Sequence, residues 1–104
     1  FCLLSSDYRY IRINQVLADI NGLSTEEHLG QKVSDILPFV WSMIEPILKQ
    51  IELTLEPVLN VEVKDPASER TWLVSYYPVP DIDGGLLGFG SVSLEITERQ
   101  AALT

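Results

Sequence analysis

The chain has 104 residues, 46% hydrophobic and 21% charged, which is the make-up of one ordinary globular domain with a single packed core. Fifteen acidic side chains against seven basic ones leave a formal charge of -8, and that excess repels the phosphates of nucleic acid and an anionic membrane face, so neither is expected as a direct partner. Cys2 is the one cysteine, so no disulfide can close within the chain and a cytoplasmic setting is expected.

The apolar start at Phe1, without Met or a charged leader, reads as a fragment of a longer protein. No apolar run approaches the roughly 20 residues that cross a bilayer. Residues 1–4 and 8–13 read as two short strands around Ser5-Ser6-Asp7, a hairpin. Asn14 is placed to cap a two-turn helix that Asn21-Gly22 ends, because Gly tolerates the left-handed conformation. Ser24 and Glu27 form a capping-box pattern for another short helix stopped by Gly30, since each side chain can satisfy the other's backbone donor. A further apolar turn over residues 33–37 closes at Pro38.

Trp41, Ile44, Ile47, Leu48, Ile51 and Leu55 recur at helical spacing among charged residues, which predicts the longest helix. Its start is open between Ser42, which could cap with Glu45, and a restart at Pro46. The period then becomes two: Leu59, Val61 and Val63 alternate with Asn60, Glu62 and Lys64, a half-exposed strand. A turn over residues 65–68 leads to a β-branched and aromatic strand over residues 70–77, and Asp83-Gly84 marks a hairpin into a last strand over residues 86–96. Two strands, then helices, then a three-strand meander predict an α+β fold, a five-stranded antiparallel sheet with short helices and one longer helix on one face.

Several chemical readings fail on their own terms. The glycines from Gly84 to Gly90 lack the order, following helix and Lys of a phosphate loop, and a calcium loop over Asp81 and Asp83 would put Gly90 where its terminal Glu belongs. His28 stands beside Glu26 and Glu27 with no second ligand at metal spacing, so it is expected to be an exposed surface residue. A single His without a nucleophile turn gives no catalytic triad. No metal site, no catalytic residue and no enzymatic activity are expected.

Tyr10-Ile11-Arg12-Ile13-Asn14, Asn21-Gly22, Glu26-Glu27 with Leu29-Gly30, Trp72-Leu73-Val74-Ser75 before Tyr77-Pro78-Val79, Asp83-Gly84, and Glu95-Ile96-Thr97-Glu98-Arg99 together resemble the PAS family pattern over nearly the whole chain. The last of these is similar to the family's Asp-Ile-Thr-Glu-Arg, with Glu95 in place of Asp. The resemblance implies a PAS domain over residues 1–97 whose sheet wraps a cavity, with residues 98–104 beginning a helix to an output domain such as a histidine kinase or a cyclic-dinucleotide enzyme. It implies a role in signal transduction, as the sensor of a small ligand or as a ligand-free dimerisation module. No cofactor is expected: Gln31-Lys32-Val33-Ser34 stands where flavin photosensors carry a reactive Cys, no His lies in residues 41–57 for haem, and Cys2 is in the first strand, away from the place of a thiol-linked chromophore.

The same comparison turns Trp72, Val74, Tyr76, Phe89, Ser91 and Ser93 inward, joined by Trp41, Ile44, Leu48 and Ile51 from the long helix, as a candidate pocket for an unknown small molecule. Plain core packing would use the same residues. Leu73, Tyr77, Val92, Leu94 and Ile96 would lie on the outer face, where a flanking helix or the second copy of a homodimer is expected to cover them.

Overall fold

A computed structural model describes residues 1–64 and 69–96, so the expected outgoing helix over residues 98–104 and the turn over residues 65–68 lie outside the described residues. Strand β1 (Cys2–Ser5) and strand β2 (Tyr10–Ile13) form the first hairpin. Three short helices follow, α1 (Gln15–Asn21), α2 (Thr25–His28) and α3 (Val33–Ile36), then the long α4 (Pro38–Thr54). Strands β3 (Val58–Lys64), β4 (Thr71–Pro80) and β5 (Leu86–Glu95) complete one five-stranded antiparallel sheet in the order β2-β1-β5-β4-β3. The α+β architecture is the expected one.

The hairpin between β4 and β5 sets the register of the sheet. Asp81 accepts from the Gly84 N–H at 3.0 Å, and Gly84 takes φ 83°, a conformation that costs a glycine little. From that turn the pairs run Pro78 with Phe89, Tyr76 with Ser91, Val74 with Ser93 and Trp72 with Glu95. Because side chains alternate across a strand, this register turns Val74, Tyr76, Phe89 and Ser91 into the interior, where all four are buried. Strand β1 then pairs with the other edge of β5, Leu4 opposite Phe89 and Ser5 opposite Gly88. The two backbones come so close that a Cβ built on Gly88 would sit 2.1 Å from the Leu4 carbonyl oxygen.

Several boundaries differ from the expected ones, among them the end of β4, which runs on through Pro78 to Pro80 instead of stopping at Tyr77. Pro38 opens α4 instead of closing the preceding turn, because at a first helical position its missing N–H is no loss and its fixed φ is already helical. The helix then runs unbroken through Pro46 for 17 residues, forgoing the bond that an N–H there would have made to the Ser42 carbonyl. The second strand begins at Tyr10, since Tyr8 has φ 69° and belongs to the turn, where its N–H donates to the Ser5 carbonyl at 3.0 Å. The free edge of β2 is partly covered: Tyr10 donates to the Gln31 carbonyl and accepts from the Gly30 N–H, which occupies groups that would otherwise be open to another strand.

The caps follow their sequence signals. Asn14 accepts from the Leu17 N–H at the start of α1, and Gly22 ends that helix at φ 83°. At α2 both halves of the capping box are made, Glu27 N–H to Ser24 Oγ at 3.1 Å and Ser24 N–H to Glu27 Oε1 at 3.0 Å. The latter bond holds the Glu27 carboxyl below its ordinary pKa.

Candidate functional site

Between the inner face of the sheet and the helices lies a cavity of about 280 Å³. The central strands supply Trp72, Val74 and Tyr76 from β4 and Ser91 and Ser93 from β5, with Cys2, Leu4, Tyr10 and Val63 from the flanking strands. The opposite wall comes from the helical segment: Leu17, Ile20 and Asn21 of α1, Val33 of α3, Leu37, and Val40 and Ile44 of α4. Most of this lining is aliphatic or aromatic, with a few polar groups among it, the usual make-up of a small-molecule site.

Of the ten residues expected to face a pocket, Ile44, Trp72, Val74, Tyr76, Ser91 and Ser93 do so. Trp41, Leu48, Ile51 and Phe89 lie elsewhere. Phe89, Leu48 and Ile51 are fully buried in the packed core, and Trp41 lies with its ring centroid 5.2 Å from that of Tyr8, which in turn stacks on Phe89 at 5.8 Å. Distance along α4 explains the division. Ile44 and Ile51 share one helix face but stand about 10 Å apart at 1.5 Å per residue, so the first two turns roof the cavity while later turns close on solid core. The hydroxyl of Tyr8 bonds to Glu52 and Lys49 Nζ lies 5.4 Å from its ring centroid, fastening this closed end to the β1–β2 turn.

The residues that sequence reasoning missed come chiefly from α1, α3 and β1. Their signal was present but faint: Leu17, Ile20 and Asn21 fall at the i, i+3, i+4 spacing of one helix face, in a helix too short for that pattern to stand out.

His28 corrects the sequence expectation of an exposed residue, for its side chain is completely buried (0% exposed). The capping box turns α2 so that the imidazole meets the Tyr10 ring edge-on, centroids 5.0 Å apart. His28 Nδ1 lies 2.8 Å from the Ser24 carbonyl and Nε2 lies 3.1 Å from Asn21 Nδ2. A carbonyl can only accept, so Nδ1 carries the proton and Nε2 receives the Asn21 N–H. Both ring nitrogens are thereby satisfied, which is what allows a histidine to be buried.

The titratable groups of the cavity wall are held neutral. Burial pushes the Cys2 thiol up, against a smaller opposing effect of its hydrogen bond with Ser91. Burial likewise raises Tyr10 and Tyr76, each reinforced by the neighbouring Cys2, so no thiolate or phenolate forms near neutral pH. Among the described residues no group of three or more His, Cys, Asp or Glu side chains is placed to hold a metal ion.

The opposite face of the sheet is also apolar. Leu73 pairs with Leu94 and Ser75 with Val92 across β4 and β5. Tyr77, Val92 and Leu94 are 41%, 55% and 58% exposed, while Leu73 and Ile96 are half-buried. No helix among the described residues is long and apolar enough to cross a membrane.

Comparison with known proteins agrees with this geometry. Among solved structures, the sensory box sensor histidine kinase from Vibrio cholerae superposes with a TM-score of 0.82 at 11% identity, covering 92% of this chain and 80% of that one. The PAS domain of histidine kinase ThkA gives a TM-score of 0.70 at 23% identity, with 90% and 94% covered. The PAS domain of BvgS from Bordetella pertussis gives 0.78 at 21% identity, with 98% and 79% covered. No curated protein matches the chain in sequence. The family described as the PAS fold matches residues 1–101, nearly the whole sequence, and the chain belongs to the PAS family.

Proposed function

We propose that this chain is the signal-input domain of a larger signal-transduction protein, that it senses a small molecule held in the cavity between sheet and helices, and that it has no catalytic role of its own. The observation that carries the reading is the cavity itself. A packed interior leaves few voids larger than a water molecule, whereas this cavity, partly open to solvent, measures about 280 Å³ and approaches the lower end of ligand pockets, about 300 Å³. Its lining has the orienting hydroxyls of Ser93 and Tyr76 among apolar walls, while the exposed carboxylates Glu26, Glu27 and Glu45 lie on helix surfaces away from it.

Two of the three similar structures belong to histidine kinases, and this supports placing the domain in a cytoplasmic two-component system, with residues 98–104 leading to a kinase or a cyclic-dinucleotide enzyme. Native mass spectrometry of the purified domain tests the sensing function. A protomer carrying the extra mass of a co-purified organic molecule is the expected result. A protomer without it, and no uptake from a library of small neutral compounds, would overturn the reading.

A second reading, association alone, is favoured by a different observation, the exposure of Tyr77, Val92 and Leu94 on the outer face. In this reading Leu73, Tyr77, Val92, Leu94 and Ile96 pack against a second copy or a flanking helix, and the domain is a dimerisation module that needs no ligand.

A further inference from the structure

The cavity wall contains no Asp, Glu, Lys, Arg or His among the described residues. Its polar groups are one thiol, the hydroxyls of two serines and two tyrosines, the Trp72 indole N–H and one carboxamide. A charged ligand would lose its hydration there and find no counter-charge, a large penalty, and an anion would also meet the field of a chain with net charge -8. Tyr10, Trp72 and Tyr76 line the cavity with aromatic rings, surfaces that suit a flat unsaturated molecule.

One polar group differs from the others in being held by a partner outside the cavity. Asn21, at the last position of α1, directs Nδ2 to His28 Nε2 at 3.1 Å. The Ser24 carbonyl, 2.8 Å from Nδ1, fixes the proton on the other ring nitrogen, so Nε2 is an acceptor and the amide presents its nitrogen to the histidine. Its oxygen, the other arm of the planar carboxamide, has no hydrogen bond within the described residues and is not a buried unsatisfied atom, so it stays accessible. A rigidly held carbonyl-type acceptor on a mostly apolar wall orients a ligand that brings a donor to it.

We propose that the cavity takes an uncharged aromatic molecule of fragment size that bears an N–H or O–H donor, and that Asn21 Oδ1 accepts from that donor, with His28 as the positioning residue behind it. This rests on the sensing function proposed above. The donor is worth roughly tenfold in affinity over an isostere that lacks it, the upper range for one neutral hydrogen bond.

The test uses three probes on the isotopically labelled domain, with dissociation constants from amide shift titrations: indole, its donor-free isostere benzofuran, and an indole carboxylate. Indole is expected to bind roughly tenfold tighter than benzofuran, and the carboxylate to bind at least as weakly as benzofuran. In Asn21→Leu and in His28→Leu the ratio of indole to benzofuran affinity falls to about one. General damage to the fold weakens both probes together and leaves that ratio unchanged. Equal binding of indole and benzofuran to the unsubstituted domain, which requires no variant to fold, overturns the role of Asn21 while leaving the cavity as a binding site. Binding of the carboxylate as tight as that of indole overturns the selection for neutral ligands. Failure of all three probes overturns this inference, while the sensing function falls only if native mass spectrometry also finds no co-purified molecule and no uptake from the compound library.

Discussion

Ser93→Leu separates an open cavity from a filled core, because the two predict opposite signs. Ser93 lies on β5 opposite Val74, and both line the cavity. The substitution exchanges a hydroxyl for three further carbons. At about 0.8 kcal/mol per buried carbon the transfer gain is at most about 2.4 kcal/mol, from which about 0.5–1 kcal/mol is lost in side-chain entropy. The net stabilisation is then about 1–2 kcal/mol, a rise in Tm of roughly 5–10 °C for a domain of this size. Differential scanning calorimetry on the ligand-free protein measures it, and the same variant should lose affinity for any molecule that the parent retains. A fall in Tm of several degrees would refute the reasoning, since overpacking a space that is already full costs roughly 1–3 kcal/mol.

Gly88→Ala should destabilise the domain by about 2 kcal/mol or more in urea titrations, because its Cβ would lie 2.1 Å from the Leu4 carbonyl oxygen and force β1 from β5. Gly90→Ala, whose Cβ would meet only Val79 Cγ2 at 4.0 Å, is the matched control and should change little. Leu94→Asp, on the exposed outer face, is expected to convert a dimer to a monomer in sedimentation velocity without loss of fold, and an unchanged oligomeric state would exclude pairing through the sheet. Glu27 supplies a pH dependence. Its folded pKa is depressed, first by the Ser24 backbone N–H, so its contribution is complete above the unfolded value of about 4.3 and is lost as pH falls through the lower folded value. Urea midpoints of the parent and Glu27→Gln should therefore differ near neutral pH and converge in acid.

The elements whose sequence signals are local were readable. Asn14, Gly22, the Ser24–Glu27 box and the Asp83-Gly84 turn act within a few residues of themselves, and each forms as its side chains dictate. Which residues of β4 and β5 turn inward is implied by the resemblance to the PAS pattern, and the register set by the one turn between the strands places Trp72, Val74, Tyr76, Ser91 and Ser93 on the cavity side. What could not be read depends on packing between distant segments. Helical spacing gives the buried face of α4 but carries no information on where along the axis the cavity ends and the solid core around Leu48 and Ile51 begins. His28 looked exposed because its sequence neighbours are acidic. Its burial arises from Tyr10 on a strand and Asn21 on another helix, contacts without a local signature.

The alternation of β5 also bears on how a bound molecule could be felt outside the domain. Ser91 and Ser93 form part of the cavity wall while Val92, between them, and Leu94, after them, are on the outer face, so a shift of the strand toward or away from the cavity moves both surfaces together. A ligand transmits nothing unless it binds two arrangements of this strand with different affinity. Ser93→Leu is then more than a test of volume, because a side chain fixed in part of the cavity imitates partial occupancy. If the outer face joins two copies, the dimer constants of the parent and Ser93→Leu should differ, and the ligand should move the parent's constant toward that of the variant. Equal dimer constants in all three would mean that cavity and outer face are independent and that occupancy is not signalled through β5.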